Sequence, residues 1–232
     1  MNTNIAVKVE ELNKSFGPKT VLTDMSFELA VGECLGVFGM RGSGKTTLIH
    51  ILAGIEPFSA GRAEVLGCSL NERNYAYRSR MGLVTQAPSL FNDLTVLENM
   101  DYLAVLKGCG KEQIEPLGQR LQLKPYFKEA AGRLDVSIYQ RLSLACALLN
   151  QPEILFIDDI TKDIDLASLK IILREIREFR ENGGTCVWGF SNMYYHQWMD
   201  RIVWLEEGRM VLFSPQEAQR RWDKMESEII EG

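Results

Sequence analysis

Residues 39–47 read Gly39-Met40-Arg41-Gly42-Ser43-Gly44-Lys45-Thr46-Thr47 and satisfy G-x-x-x-x-G-K-[ST] at every fixed position. These residue types suit the capture of a phosphate chain. Gly42 and Gly44 let the backbone curl tightly and bring its N–H groups close to an anion. A helix beginning just after them adds unpaired N–H donors and partial positive charge. Lys45 is placed for β- and γ-phosphates and the Thr46 hydroxyl for Mg²⁺, with Gly39, Arg41, Ser43 and Thr47 completing the binding loop. A site of this kind also needs a carboxylate at the end of a neighbouring strand to hold the metal shell. Asp158 follows the apolar run Ile154-Leu-Phe-Ile157, and Asp159 stands where a general base for water would sit.

The elements that must position these groups are legible around them. Glu33–Phe38 reads as a buried strand before the loop, and Thr46–Ala53 as the first turns of a helix after it, ended by Gly54. Ile5–Glu10 alternates as a strand, and Leu12–Gly17 runs on to a Gly17-Pro18 turn. Val21–Leu29, Arg62–Leu66 and Met81–Thr85 read as further strands. From about Leu94 to Gly132 strand signal is sparse. Thr95-Val-Leu-Glu98 has the form of a capping box, apolar positions run at helical spacing to Gly108, and Lys111–Leu123 forms a second amphipathic segment. Ser137–Asn150 is helical with Ile138, Leu142, Ala145 and Leu149 on one face. Leu166–Asn182 is an amphipathic helix stopped by Gly183-Gly184, and Thr185–Phe190 is a strand. Arg201–Leu205 and Arg209–Phe213 form a hairpin around Glu207-Gly208, and Ser214–Ile230 is a polar terminal helix. Strands alternating with helices define an α/β fold with a mostly parallel sheet covered on both faces.

The 232 residues suffice for one domain with a sizeable core, and 46% hydrophobic with 25% charged residues is ordinary globular composition. A net charge of −5 argues against a nucleic-acid surface, leaving Arg73, Arg78 and Arg80 as a solvated basic face. No apolar run reaches the ~20 residues that span a bilayer, and Met1–Lys8 lacks an apolar signal core, so a cytosolic protein is expected. The five cysteines are scattered and never spaced C-x-x-C, which reads as buried reduced thiols. The two histidines, His50 and His196, have no partners at metal spacing, so no structural zinc is expected.

Taken together, Val7 to about Phe213 resembles the ATP-binding cassette (ABC) family, the nucleotide-binding subunits of membrane transporters, most closely its exporter-like branch. The resemblance implies a P-loop NTPase core, an N-terminal antiparallel β-subdomain and a helical insert at about 87–145 within one nucleotide-binding domain over 1–232. It implies ATP and Mg²⁺ as cofactors, with Thr46, Gln86 and Asp158 at the metal and Lys45, Gln86, Asp159 and Asn192 in catalysis. The adenine-stacking aromatic corresponds to Phe16 in Lys14-Ser15-Phe16-Gly17, and the glutamine loop to Met81–Asn99 with Gln86. Arg141-Leu-Ser-Leu-Ala-Cys-Ala-Leu-Leu-Asn-Gln-Pro-Glu153 follows the signature, Ile154–Asp158 is the Walker B strand, and Asp165 is the D-loop aspartate. Implied partners are transmembrane permease subunits and a second cassette, as homodimer or heterodimer, with no nucleic acid. The implied location is the cytosolic face of the membrane.

Several positions depart from the family pattern. Against L-S-G-G-x-x-Q-R the gapless counterpart is Leu134-Asp135-Val136-Ser137-Ile138-Tyr139-Gln140-Arg141; a two-residue gap would instead align Ser137-Ile-Tyr-Gln140 with S-G-G-Q. Either way the glycines are gone, and a carboxylate at Asp135 would repel an anion. The catalytic glutamate is Asp159, one methylene shorter, and the switch histidine is Asn192, which cannot titrate near neutral pH. Ile160 replaces the proline after the Walker B acids, and Cys146 the arginine of A-R-A-L. The expectation is a subunit that binds Mg-ATP and hydrolyses it slowly or with a partner. The alternative is a regulatory or assembly module that uses ATP occupancy without turnover. Neither the two cassettes nor the coiled-coil arms expected of soluble family members are seen, and no N-K-x-D guanine-reading motif is found.

Overall fold

The computed structural model describes residues 5–72 and 74–231. Met1–Asn4, half of the stretch read for a signal core, and Arg73 of the expected basic face lie outside the described residues. The chain divides into two compact units, Met1–Tyr75 with Thr185–Gly232, and Ala76–Gly184.

The first unit opens with β1 (Ile5–Phe16) and β2 (Lys19–Ala30), paired antiparallel across the Gly17-Pro18 turn. Val7, Val9 and Leu12 of β1 are buried. The sequence breaks this strand after Glu10, yet it continues to Phe16. Glu11 adopts φ 48° and the register shifts between Val9 and Leu12, a bulge that turns Leu12 back into the core. β3 (Cys34–Phe38) is buried at every residue and feeds the glycine loop, followed by α1 (Lys45–Leu52). β4 (Ala60–Val65) pairs with β1, and β5 (Cys68–Ser69) with β4. Two residues are too few to show an alternation, so β5 had no sequence signal. The resulting four-stranded antiparallel sheet has the order β2-β1-β4-β5.

The second unit begins with a 3-10 turn, Ala76–Arg80, and β6 (Met81–Val84). α2 (Val96–Leu106) starts on the expected capping box: Thr95 Oγ1 accepts from Glu98 N–H, and Glu98 Oε2 accepts from Thr95 N–H at 2.8 Å. The segment Lys111–Leu123 yields only a short helix, α3 (Ile114–Arg120). Pro116 has no N–H and fits only a first turn, which fixes where the helix can start. α4 (Val136–Leu148) is buried from Ser137 to Leu148, where a single apolar face was expected. A helix covered all round reads as apolar all round, so its periodicity does not define a face. β7 (Ile154–Asp158) pairs parallel with β6, and α5 (Leu166–Glu181) completes the unit.

The chain then returns to the first unit with β8 (Thr185–Phe190), β9 (Arg201–Glu206), β10 (Arg209–Phe213) and α6 (Pro215–Glu231). β3 lies between β8 and β9, parallel to both, and β10 runs antiparallel to β9. Glu207 (φ 49°) and Gly208 (φ 75°) both take the left-handed conformation that a two-residue hairpin turn requires. The Phe38 ring, immediately before the glycine loop, packs on Phe190, Trp204 and Trp222 with centroids 5.6, 4.6 and 5.5 Å away. All five cysteines are free. Cys34, Cys146 and Cys186 are buried, whereas Cys68 and Cys109 are partly exposed, against the expectation of five buried thiols. Among the described residues no helix is long and apolar enough to cross a membrane.

Candidate nucleotide site

The glycine loop is shaped by close approach as much as by dihedral freedom. A Cβ on Gly39 would sit 2.4 Å from Ser43 Oγ and 2.7 Å from the Leu205 carbonyl oxygen, so the first loop position admits no side chain. Gly44 (φ 105°) is the N-cap of α1, and a Cβ there would meet Leu22 at 2.7 Å. The turn is closed by Ser43 N–H donating to the Met40 carbonyl at 3.1 Å. Lys45 is buried, and its Nζ donates to the Gly39 and Met40 carbonyls at 2.6 and 3.1 Å. The ammonium is thereby held by the loop whose anion it would meet. Thr46 is exposed at the first turn of α1, which carries no acidic residue to compete with an anion. Ser43 Oγ is buried without a hydrogen-bond partner. It borders a cavity of about 240 Å³ walled by Phe38, Trp204 and Trp222.

Phe16 ends β1 and is 48% exposed. One face carries the Lys14 ammonium, 4.3 Å from the ring centroid. Lys14 is itself buried and donates to Glu56 Oε1 and the Pro57 carbonyl, both at 2.6 Å. A lysine inside a polar stretch of strand gave no sign of this role. Asn192, also in the first unit, caps the 3-10 turn Met193–Trp198 by accepting Tyr194 N–H at 3.0 Å.

The second unit holds the remaining expected residues. Asp158 ends β7 and is buried, and Asp159 turns the chain at φ 47°. Gln86 is exposed, and its carbonyl accepts a long 3.4 Å contact from Gln140 Nε2. Two residues missing from the expected site hold the segment that follows Gln86. The Tyr139 hydroxyl accepts from Ser89 and Leu90 N–H at 2.8 and 2.7 Å. Fully buried Asn99 accepts from Phe91 N–H and donates to the carbonyls of Phe91, Leu94 and Thr95. A tyrosine in an otherwise apolar helix was the available signal for the first.

Asp135 is the N-cap of α4, and its Oδ1 accepts Ile138 N–H at 3.0 Å. Asp165 is the N-cap of α5 and accepts Ser168 N–H at 2.9 Å. The nearby Ser137 hydroxyl, and after it Ser168, holds the Asp165 carboxyl well below the usual range. Ser137 Oγ also accepts Asp165 N–H at 2.9 Å. Phe16, residues 39–47 and Asn192 therefore belong to one unit. Gln86, Asp135, Ser137, Asp158, Asp159 and Asp165 belong to the other.

Residues 22–162 match the family model described as ABC transporter. The Nod factor export ATP-binding protein I of Paraburkholderia xenovorans is 31% identical over 89% of this chain and 69% of its own length. The probable multidrug ABC transporter ATP-binding protein YbhF of Escherichia coli is 29% identical over 88% of this chain, which spans only 36% of that protein. The dimeric, ADP- and Pi-bound cassette MJ0796 superposes with a TM-score of 0.83 at 22% identity, over 90% of this chain and 98% of the other. The chain belongs to the ABC transporter family as a nucleotide-binding subunit with the fold of an ABC-type ATPase.

Proposed function

We propose that this protein binds Mg-ATP on residues 39–47 and drives substrate movement through separate membrane permease subunits, with slow or partner-dependent hydrolysis. The observation that carries the reading is the pre-formed loop: Gly39 and Gly44 admit no side chain, and Lys45 is buried with its ammonium on the loop carbonyls. Phe16 offers an exposed ring for the adenine. Thr46, Gln86 and Asp158 have the oxygen donors a magnesium ion takes, and the bound ion would neutralise charge on the phosphates. Asp159 would orient or deprotonate water, and Asn192 would offer a hydrogen bond where no proton can be exchanged. The protein would work on the cytosolic face of the membrane, paired with a second cassette of its own or another kind. The dimeric neighbour supports that pairing, and the export names of the relatives support an exporter.

A second reading, ATP-dependent regulation or assembly without turnover, is favoured by one contact. The Asp135 carboxylate already occupies the N-terminus of α4 through Ile138 N–H, which leaves negative charge where the family's signature would meet a phosphate. Calorimetric titration with Mg-ATP decides the shared part. Saturable binding weakened by about 100-fold or more in Lys45→Ala supports it, as expected for the loss of two charge-assisted contacts; unchanged affinity overturns it. Phosphate release by the purified protein, with and without a second cassette, then separates the two readings.

A further inference from the structure

The segment Asp159–Asp165 leaves β7 at one end and enters α5 at the other. Its first end is fixed by the strand, since Asp158 is the buried last residue of β7. Two residues within it, Asp159 and Asp163, take left-handed φ values of 47° and 60°, a conformation with little room for drift. The other end is fixed by Ser137. This hydroxyl, buried in the first turn of α4, accepts Asp165 N–H at 2.9 Å. Asp165 in turn caps α5 through Ser168 N–H. One side chain thus ties the N-termini of α4 and α5 together and closes the loop that begins at Asp159.

We propose that Ser137 is a positioning residue: it sets the path of Asp159–Asp165, and through it the place of the Asp159 carboxylate, without itself touching the nucleotide. This rests on the ATP-site reading for the role of Asp159, but the mechanical part does not. Three features favour it over a merely structural serine. Ser137 takes a backbone N–H of the loop itself, so the contact fixes the path of the chain and not merely a side chain. Asp135, two residues earlier, caps α4 independently, so the helix does not need Ser137 for its own start. Finally, a glycine, which the family pattern carries at this position in the gapless register, could not make this bond.

The test uses the full chain. Amide hydrogen exchange across 160–165, in the absence of nucleotide, should quicken about tenfold in Ser137→Ala and Ser137→Gly and return toward wild type in Ser137→Thr. Exchange in the rest of α4 should stay unchanged, because Asp135 still caps it. With Mg-ATP, kcat should fall about tenfold or more in Ser137→Ala while KM stays within about twofold, as for a misplaced base. Unchanged exchange at 160–165 overturns the proposal, and so does a KM effect without a kcat effect, which would mean direct nucleotide contact. If the wild-type chain binds no ATP, the Mg-ATP reading fails, and the exchange result still decides whether Ser137 holds the loop.

Discussion

The ammonium of Lys14 lies 4.3 Å from the centroid of the Phe16 ring, pinned there by Glu56 and the Pro57 carbonyl at 2.6 Å each. A cation on one face of an aromatic ring leaves the other for a base. Lys14 is buried while Phe16 is half exposed, so the arrangement orders a ring that would otherwise rotate at the end of a strand. Base–aromatic stacking is worth about 1–3 kcal/mol by alanine substitution. Phe16→Ala should therefore weaken ATP about tenfold in calorimetry, Phe16→Trp should not, and inorganic tripolyphosphate should bind both alike. An equal loss for tripolyphosphate would mean that Phe16 shapes the loop and does not meet the base.

What the sequence made legible follows a physical boundary. The glycine loop, the Thr95–Glu98 capping box and the Glu207-Gly208 hairpin are all local: neighbouring residue types dictate dihedrals or bonds a few positions away, and the structure carries each of them. The bulge that carries β1 on to Phe16 depends on pairing with β2 and β4, and is invisible in one strand read alone. Lys14 and Glu175 are buried because of partners 42 and 55 residues away. Asp135 showed the same limit from the other side. Its charge suggested repulsion of an anion, but no sequence pattern separated that from the capping bond it makes to Ile138. The site was therefore legible as a set of residue types, and the contacts that hold those residues in place were not.

Asp159 stands at φ 47°, a left-handed position that Asp tolerates better than Glu. Lengthening it should separate chemistry from stability. Asp159→Glu should cost about 1 kcal/mol, or ~2–4 °C in Tm, because the longer side chain gains nothing from the local bonds that favour Asp there. The added methylene should raise turnover if reach limits the base. Combined with Asn192→His, which restores a titratable group, phosphate release should rise about tenfold or more. Asn192→His alone should loosen the 3-10 turn it caps, since the Tyr194 N–H loses its acceptor. No gain in the double variant would place the limit at the Asp135 end of the chain's machinery.

Glu175 is almost wholly buried and is bonded by Arg120 at 2.7, 3.0 and 3.2 Å. Its carboxylate raises the Arg120 pKa, chiefly through the hydrogen bond. Arg120 is itself 43% exposed, so water screens the attraction and the pair is worth less than a fully buried one. Removing only the arginine is the damaging change, because it strands a buried carboxylate. Arg120→Ala should lower stability by about 3 kcal/mol, or roughly 6–10 °C in Tm. Arg120→Met with Glu175→Met should recover most of that loss in the same melting experiment. A double variant as unstable as the single would mean that packing, and not the stranded charge, sets the cost.

Lys107, at the C-cap of α2, donates to the Ala147 carbonyl at 3.1 Å and to Asn150 Oδ1 at 2.8 Å, and both partners are neutral. Burial pushes its pKa down to about 8, opposed by the nearby Cys146 and Cys109 thiols. The unfolded chain holds this proton up to about 10.5, so between pH 8 and 10.5 it binds more protons than the folded chain. Stability from this group therefore rises with pH across that window, by about 3 kcal/mol. Cys146 works against it. Burial pushes its thiol up to about 12 from 9.0, so above pH 9 the unfolded chain ionises first and stability falls. Urea unfolding of the wild type should thus show stability rising from pH 8 to 9 and then levelling as the two groups cancel. Lys107→Met should be flat to pH 9 and decline above it. A variant curve parallel to the wild type would show that Lys107 titrates at an ordinary lysine pKa.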